Sequence, residues 1–272
     1  VQMVACPAPS VERSHGSARV SFRRAGAWTR LEGLRQSGSA KAFVHPAASG
    51  PDVVFLNTSG GMTGGDRLTY ALSLGEGCRV TATTQTAERA YRSAGGVAEV
   101  EVRHDLGPGA HLDWLPQETI LFDHSALSRQ TEVALAVGAS CLLLEAVVLG
   151  RAAMGETVRT IVLSDRRKVT RQGVPVLYEP LSLGTPALQA GIGVLQGARA
   201  FASLALVANG AEARLSAVRA VLDEPAVQSG ASAFDGKLTL RLMAADGWPM
   251  RRQILRVLDV LRDSPLPRVW QM

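Results

Sequence analysis

Apolar and polar residues alternate with period two over much of the first two-thirds of the chain, the signature of strands with one buried face. RLTYALSL (67–74) puts Leu68, Tyr70, Leu72 and Leu74 on one side. VAEVEVRH (97–104) does the same with Val100 and Val102, and RQTEVALAV (129–137) with Val133, Leu135 and Val137. DVVFLN (52–57) and SCLLLEAVVLG (140–150) are more continuously apolar, which predicts strands covered on both faces. The period lengthens towards the C-terminus. AEARLSAVRAVLDE (211–224) carries a helical stripe of Leu215, Val218 and Leu222 and is stopped by Pro225. WPMRRQILRVLDVLRDSP (248–265) carries Ile254, Val257, Leu258 and Leu261 between Pro249 and Pro265. A further strand, KLTLRLMA (237–244), lies between these two helices.

A weak repeat is superimposed on the strands. LGEGCRV (74–80), LGPGAHL (106–112), AVGASCL (136–142) and LQGARAF (195–201) each end a strand at glycine and restart with a small residue. The first three copies are spaced by roughly 30 residues, the scale of a repeating β unit. Such passes either stack into a coil of strands or form a series of similar hairpins. No linker composition interrupts the chain. The expectation is one domain over residues 1–272, mainly β, with coiled and layered strands (β-helix-like) and two late α-helices. Residues 1–15 are expected to be a flexible leader.

Composition narrows the function. The chain has 272 residues, a net charge of +5 and a pI of about 9.6. All but three of its 29 basic residues are arginine, and they are scattered among apolar positions. The one dense basic run, Arg166-Arg167-Lys168 with Arg171, has no interleaved aromatics, which argues against nucleic acid as a partner. Cys6, Cys78 and Cys141 are distant from one another and odd in number, which suits a reducing compartment rather than a disulfide framework. No apolar run reaches the roughly 18 residues of a membrane span. The expected setting is cytoplasmic, with no membrane.

NTSGGMTGGDRLTY (57–70) contains the G-x-x-x-x-G spacing of a phosphate loop at Gly60 and Gly65. The loop's Lys is replaced by Asp66, whose charge would oppose a phosphate. A strand rather than a helix follows, so no N-terminal dipole faces the anion. The segment therefore reads as a glycine-rich connection that fixes Asp66, which either caps the turn or pairs with Arg67, or is a carboxylate aimed into a cavity.

LNTSGGMTGGDRLTYALSLGEGCRVTATTQTAERAYRS (56–93) resembles the signature region of the urease accessory protein UreD (UreH) family. The likeness continues through AHLDWLPQETILFDHSALSRQTEVAL (110–135), LLLEAVVLGRAAMGE (142–156), VTRQGVPVLYEPLSLG (169–184) and the closing LPRVW (266–270). Thr58 and Ser59 stand where the family commonly has Pro and Gly, and Met62 and Thr63 lie inside the cluster. The resemblance implies a non-catalytic scaffold that joins UreF and the GTPase UreG and helps load nickel into apo-urease. GTP hydrolysis then belongs to the partner, and no cofactor is tightly bound.

A nickel store would gather His and Cys, and this chain does not: His15, His45, His104, His111 and His124 are dispersed. A conduit needs weaker oxygen ligands. Glu145 interrupts CLLLEAVVLG, and Glu179 sits between apolar neighbours in VLYEPL. A buried carboxylate must find a partner or become protonated. Arg151 or another arginine is the simple partner for Glu145; a water-filled channel is the functional alternative. Asp66, Glu145 and Glu179 are the expected residues of transient nickel passage, with Glu118 and Asp123 behind them. Two other classes compete. A polysaccharide-active enzyme on a β-coil would need paired acids such as Asp113 and Asp123 and a platform of aromatics, and the chain has only four Trp and three Tyr. A plain interaction module would dock through exposed strands or the 248–263 helix without any metal role.

Overall fold

The computed structural model describes residues 12–190 and 193–271. Strand outweighs helix by 53% to 14%, and the strands wind into a β-solenoid of about 4 turns. The strands are His15–Ala25 (β1), Trp28–Gly38 (β2), Ala40–His45 (β3), Asp52–Asn57 (β4), Arg67–Leu74 (β5), Arg79–Thr84 (β6), Glu88–Ala90 (β7), Ala98–Leu106 (β8) and His111–Trp114 (β9). They continue with Thr119–Leu121 (β10), Ser125–Leu135 (β11), Ser140–Leu149 (β12), Ile161–Arg171 (β13), Val174–Gly184 (β14), Ala200–Val207 (β15), Val227–Phe234 (β16) and Lys237–Ala244 (β17). One sheet has the order β14-β13-β11-β8-β5-β1-β2; the other runs β16-β17-β15-β12-β9-β6-β4-β3. β10 pairs in parallel with β7 on one side and with the end of β12 on the other, closing a short third side.

The glycine repeat marks the corners where the chain passes from the first sheet to the second. At successive corners Gly75 N–H donates to Phe22 O (2.9 Å), Gly107 N–H to Leu74 O (2.7 Å) and Ala136 N–H to Leu106 O (2.9 Å). Strand hydrogen bonding thus continues around the bend. Gly77, Gly109 and Gly138 take φ near +60 to +70°, which a Cβ would strain. Stacked coils, rather than hairpins, therefore explain the first three copies. The fourth, at 195–201, leads instead into β15, which runs antiparallel beside β12. Val137 lies in a corner and is exposed, one residue pair past the buried face of β11.

Two cores result. Leu68, Tyr70, Leu72 and Leu74 of β5 stack in register with Val100, Val102 and Leu106 of β8 inside the coil. β12 is covered on both faces, as its composition predicts. Leu143 and Val147 face the coil, while Leu142 and Leu144 face a second core beneath the C-terminal helix.

The helices are Thr185–Gln189 (α1), Leu215–Ala220 (α2) and Gly247–Leu261 (α3). α3 buries Met250, Ile254, Val257, Leu258 and Leu261 on the second core. Its length and the helix at 211–224 both need correction. The latter is a 3-10 turn at Ala211–Arg214 followed by α2 alone. Past Ala220 the backbone is captured by Gln253 of α3, which donates to Val221 O (2.7 Å) and accepts from Glu224 N–H (2.9 Å). α3 stops at Leu261 because Arg262 leaves the helix to reach Asp113 (2.8 Å) and Thr81 (2.9 Å) in the second sheet. The expected leader falls mostly on residues 1–11, outside the described residues; Ser14 and His15 already belong to the fold, through a bond to Asp66 and the start of β1.

Candidate functional site

Period-two alternation brings charge into the coil where the later strands take over. Arg129 occupies an inward position of β11, between Leu127 and Thr131. Asp165 and Arg167 are inward on β13, and Glu179 is inward on β14. Register places Arg129 opposite Asp165, and Arg167 opposite Glu179. On the facing sheet Glu145, Ser203, Arg241 and Gly230 form one row across β12, β15, β17 and β16. The earlier coils carry Leu68 and Val100, Tyr70 and Val102, at the corresponding levels. A polar lane therefore begins deep in the solenoid at Arg129 and Glu145 and opens at Glu179 and Arg241.

Arg129 holds the inner end. Its Nη2 contacts Asp165 at 2.6 Å, its Nη1 contacts Glu145 at 2.7 Å, and Nη1 also donates to Thr119 (3.0 Å). Trp114 Nε1–H donates to the other Glu145 oxygen (3.2 Å). Burial raises the Glu145 pKa by more than Arg129 lowers it. Burial also works on Asp165, but there the two-pronged grip of Arg129 prevails and lowers its pKa. At the outer end Glu179 meets Arg167 (3.4 Å), the Ser203 hydroxyl (3.2 Å) and Arg241. Arg241 is the exposed member, its side chain 59% accessible. A cavity of about 560 Å³ spans the lane, walled by Glu145, Asp165, Arg167, Glu179, Ser203 and Arg241.

A second, small chamber of about 40 Å³ adjoins the inner end and shares Glu145 and Arg129 as its wall. Tyr70, Thr84, Glu88, Gln117 and Thr119 also line it. Buried polar side chains normally find partners. Among the described residues, ten buried side-chain atoms lack a directed hydrogen bond. Four of them line this lane and chamber: Tyr70 Oη, Glu145 Oε2, Arg167 Nε and Glu179 Oε1.

The expected site residues are thus divided. Glu145 and Glu179 line one cavity. Asp66 lines neither chamber; its carboxylate accepts from Ser14 N–H (2.8 Å) and Thr63 N–H (2.8 Å) and fixes the glycine corner. That corner packs tightly on the next coil, for a Cβ on Gly64 would lie 2.4 Å from Gly95 O. The partner of Glu145 is Arg129; Arg151 pairs with Glu156 instead. Glu118 faces Arg251 (3.7 Å), and Asp123 accepts from Arg159 and Thr160 N–H. Asp113 is held between Arg262 and His111, so it and Asp123 do not stand as a free acid pair. Cys78 and Cys141 are buried core residues. Among the described residues no three His, Cys, Asp or Glu side chains form a metal cage, and no helix is long and apolar enough to cross a membrane. Arg129, Asp165 and Arg167 were missed by sequence reasoning. Their signal was present: charged residues in the buried phase of an alternating strand.

Comparison with known proteins bears on this fold directly. The family model described as UreD urease accessory protein matches residues 14–271. The chain belongs to the UreD family. Relatives named urease accessory protein UreD align along nearly their whole length. One from Cereibacter sphaeroides is 60% identical over 97% of this chain and 98% of its own. That of Paracoccus denitrificans is 51% identical over 96% and 94%. That of Rhizobium leguminosarum bv. trifolii is 42% identical over 99% and 100%. UreD membership places the chain in urease maturation, in an accessory role.

Proposed function

We propose that this UreD-family chain is a scaffold that works with UreF and the GTPase UreG to insert nickel into apo-urease, and that the cargo ion passes along the polar lane. GTP hydrolysis belongs to UreG. The observation that carries the route is the pairing of two facing rows, which sets Glu145, Asp165 and Glu179 along a cavity that reaches the surface beside Arg241.

Three carboxylates face three arginines in this lane: Arg129, Arg167 and Arg241. A cation entering it exchanges with a guanidinium rather than filling a free cage. Arg241 is exposed and can turn into solvent, which frees one oxygen of Glu179. Arg129 keeps Asp165 as its stronger partner, so Glu145 can be released without leaving the guanidinium bare. The contacts to Glu145 Oε2 and Glu179 Oε1 are ionic without good hydrogen-bond geometry, which eases exchange. Weak, serial oxygen coordination is what a conduit requires, since an ion must leave each station as readily as it arrives.

The test is the Glu145→Gln, Glu179→Gln double variant, which keeps shape and removes two charges. Nickel-dependent urease activation is expected to fall by tenfold or more while co-purification with UreF is retained. Full activation with intact UreF binding would refute the route and leave the plain interaction scaffold as the better reading.

A further inference from the structure

Every acid of the lane has an arginine, whereas Glu88, further inside the solenoid, has no salt-bridge partner among the described residues. Glu88 sits at an inward position of β7, two residues from the buried Ala90. It lies one coil before Thr119 in register, the same Thr119 that binds Arg129. Its carboxylate accepts from Asn57 Nδ2 (3.4 Å) and from Arg89 N–H (3.2 Å), both weak neutral donors. The Arg89 side chain reaches away to Gly60 O (3.4 Å).

Glu88 lines the 40 Å³ chamber together with Tyr70 and Glu145. Tyr70 is 4% exposed, and its hydroxyl has no partner. Glu88 is near enough that its charge adds to burial in raising the Tyr70 pKa. The volume suits one small ion or a water or two, since a water takes up about 30 Å³ of liquid. The chamber therefore offers two carboxylates and a phenol oxygen, all oxygen donors, with no arginine directed at one of the acids.

We propose that Glu88, with Tyr70 Oη and Glu145, forms an inner station that binds a single divalent cation between the lane and the next coil. The station rests on the proposed nickel route and extends it past the Arg129 barrier. There a cation meets the Glu88 carboxylate without displacing a guanidinium, while Glu145 remains tied to Arg129 in the same wall.

The test uses the full chain and Ni²⁺ alone. Binding is followed by equilibrium dialysis and by quenching of buried tryptophan emission, since Trp114 lines the chamber. Trp28 and Trp248 are replaced by Phe to remove exposed emitters. Glu88→Gln is expected to weaken Ni²⁺ binding at least tenfold and to abolish the quenching. Tyr70→Phe deletes one unpartnered oxygen; it is expected to weaken binding severalfold while leaving the metal-free Tm unchanged or raised. Affinity and quenching within twofold of the parent for both variants, with native circular dichroism, would overturn the station. Failure of the route is read separately, from urease activation by the Glu145→Gln, Glu179→Gln double variant. A chain that loses activation there but binds and quenches normally as Glu88→Gln keeps the route and loses the station.

Discussion

His104 offers the sharpest test of how this solenoid interior behaves. It is inward on β8, flanked in register by Leu72 and Val133, with its ring centroid 4.7 Å from that of Trp114 and tilted against it. It is 1% exposed, and neither ring nitrogen has a hydrogen-bond partner. Burial lowers its pKa from 6.5 to about 3; the nearby Arg103 backbone offsets a little of this, without hydrogen-bond geometry at either nitrogen. The folded chain thus keeps His104 neutral while the unfolded chain protonates it below pH 6.5. Between those two values the unfolded state binds more protons, so stability rises with pH and is lost as pH falls. From pH 8 to pH 5 this linkage amounts to about 2 kcal/mol. His104→Phe preserves an aromatic ring against Trp114 and removes the titration. The assay is urea unfolding of both chains at pH 8 and pH 5, and differencing the two cancels every other titrating group. The parent is expected to lose about 2 kcal/mol more than the variant over that interval. Parallel pH dependence of the two chains would show that His104 is hydrated or partnered and that the inner coil is not dry at that level.

Further outcomes follow from the same packing. Arg129→Met strands Glu145 and Asp165 without a cation and is expected to cost about 3–5 kcal/mol in urea unfolding, with part of the loss recovered on adding Asp165→Asn. Gly64→Ala places a methyl against Gly95 O and Gly96 O, and overpacking there is expected to cost about 1–3 kcal/mol by thermal unfolding. Asp246 caps α3 by accepting from Trp248 N–H at 3.0 Å, and Asp246→Ala should lower stability by about 1 kcal/mol.

The architecture was readable because its cause is local. A strand buried on one face must alternate, and RLTYALSL and VAEVEVRH do so whatever they pair with. A corner that must take positive φ must be glycine, and Gly77, Gly109 and Gly138 recur for that reason. The apolar stripe of α3 was equally plain, and the unbroken run of β12 announced cover on both faces. Helix ends were less readable. Gln253 unwinds the chain after α2, and Arg262 pulls the end of α3 into the sheet, through contacts across 32 and 149 residues.

The interior chemistry lies between these cases. Glu145 and Glu179 stand out in sequence as acids among apolar neighbours, and both reach one cavity. Asp66 stands out equally yet serves its own corner. Which arginine answers which acid depends on strand register between segments tens of residues apart, as Arg129 with Asp165 shows. The same register leaves Glu88 without a salt-bridge partner among the described residues. Alternation along the chain decides which side chains point inward, because it follows from backbone geometry alone. Only the stacking of coils decides which of them meet, because Coulomb energy depends on separation in space.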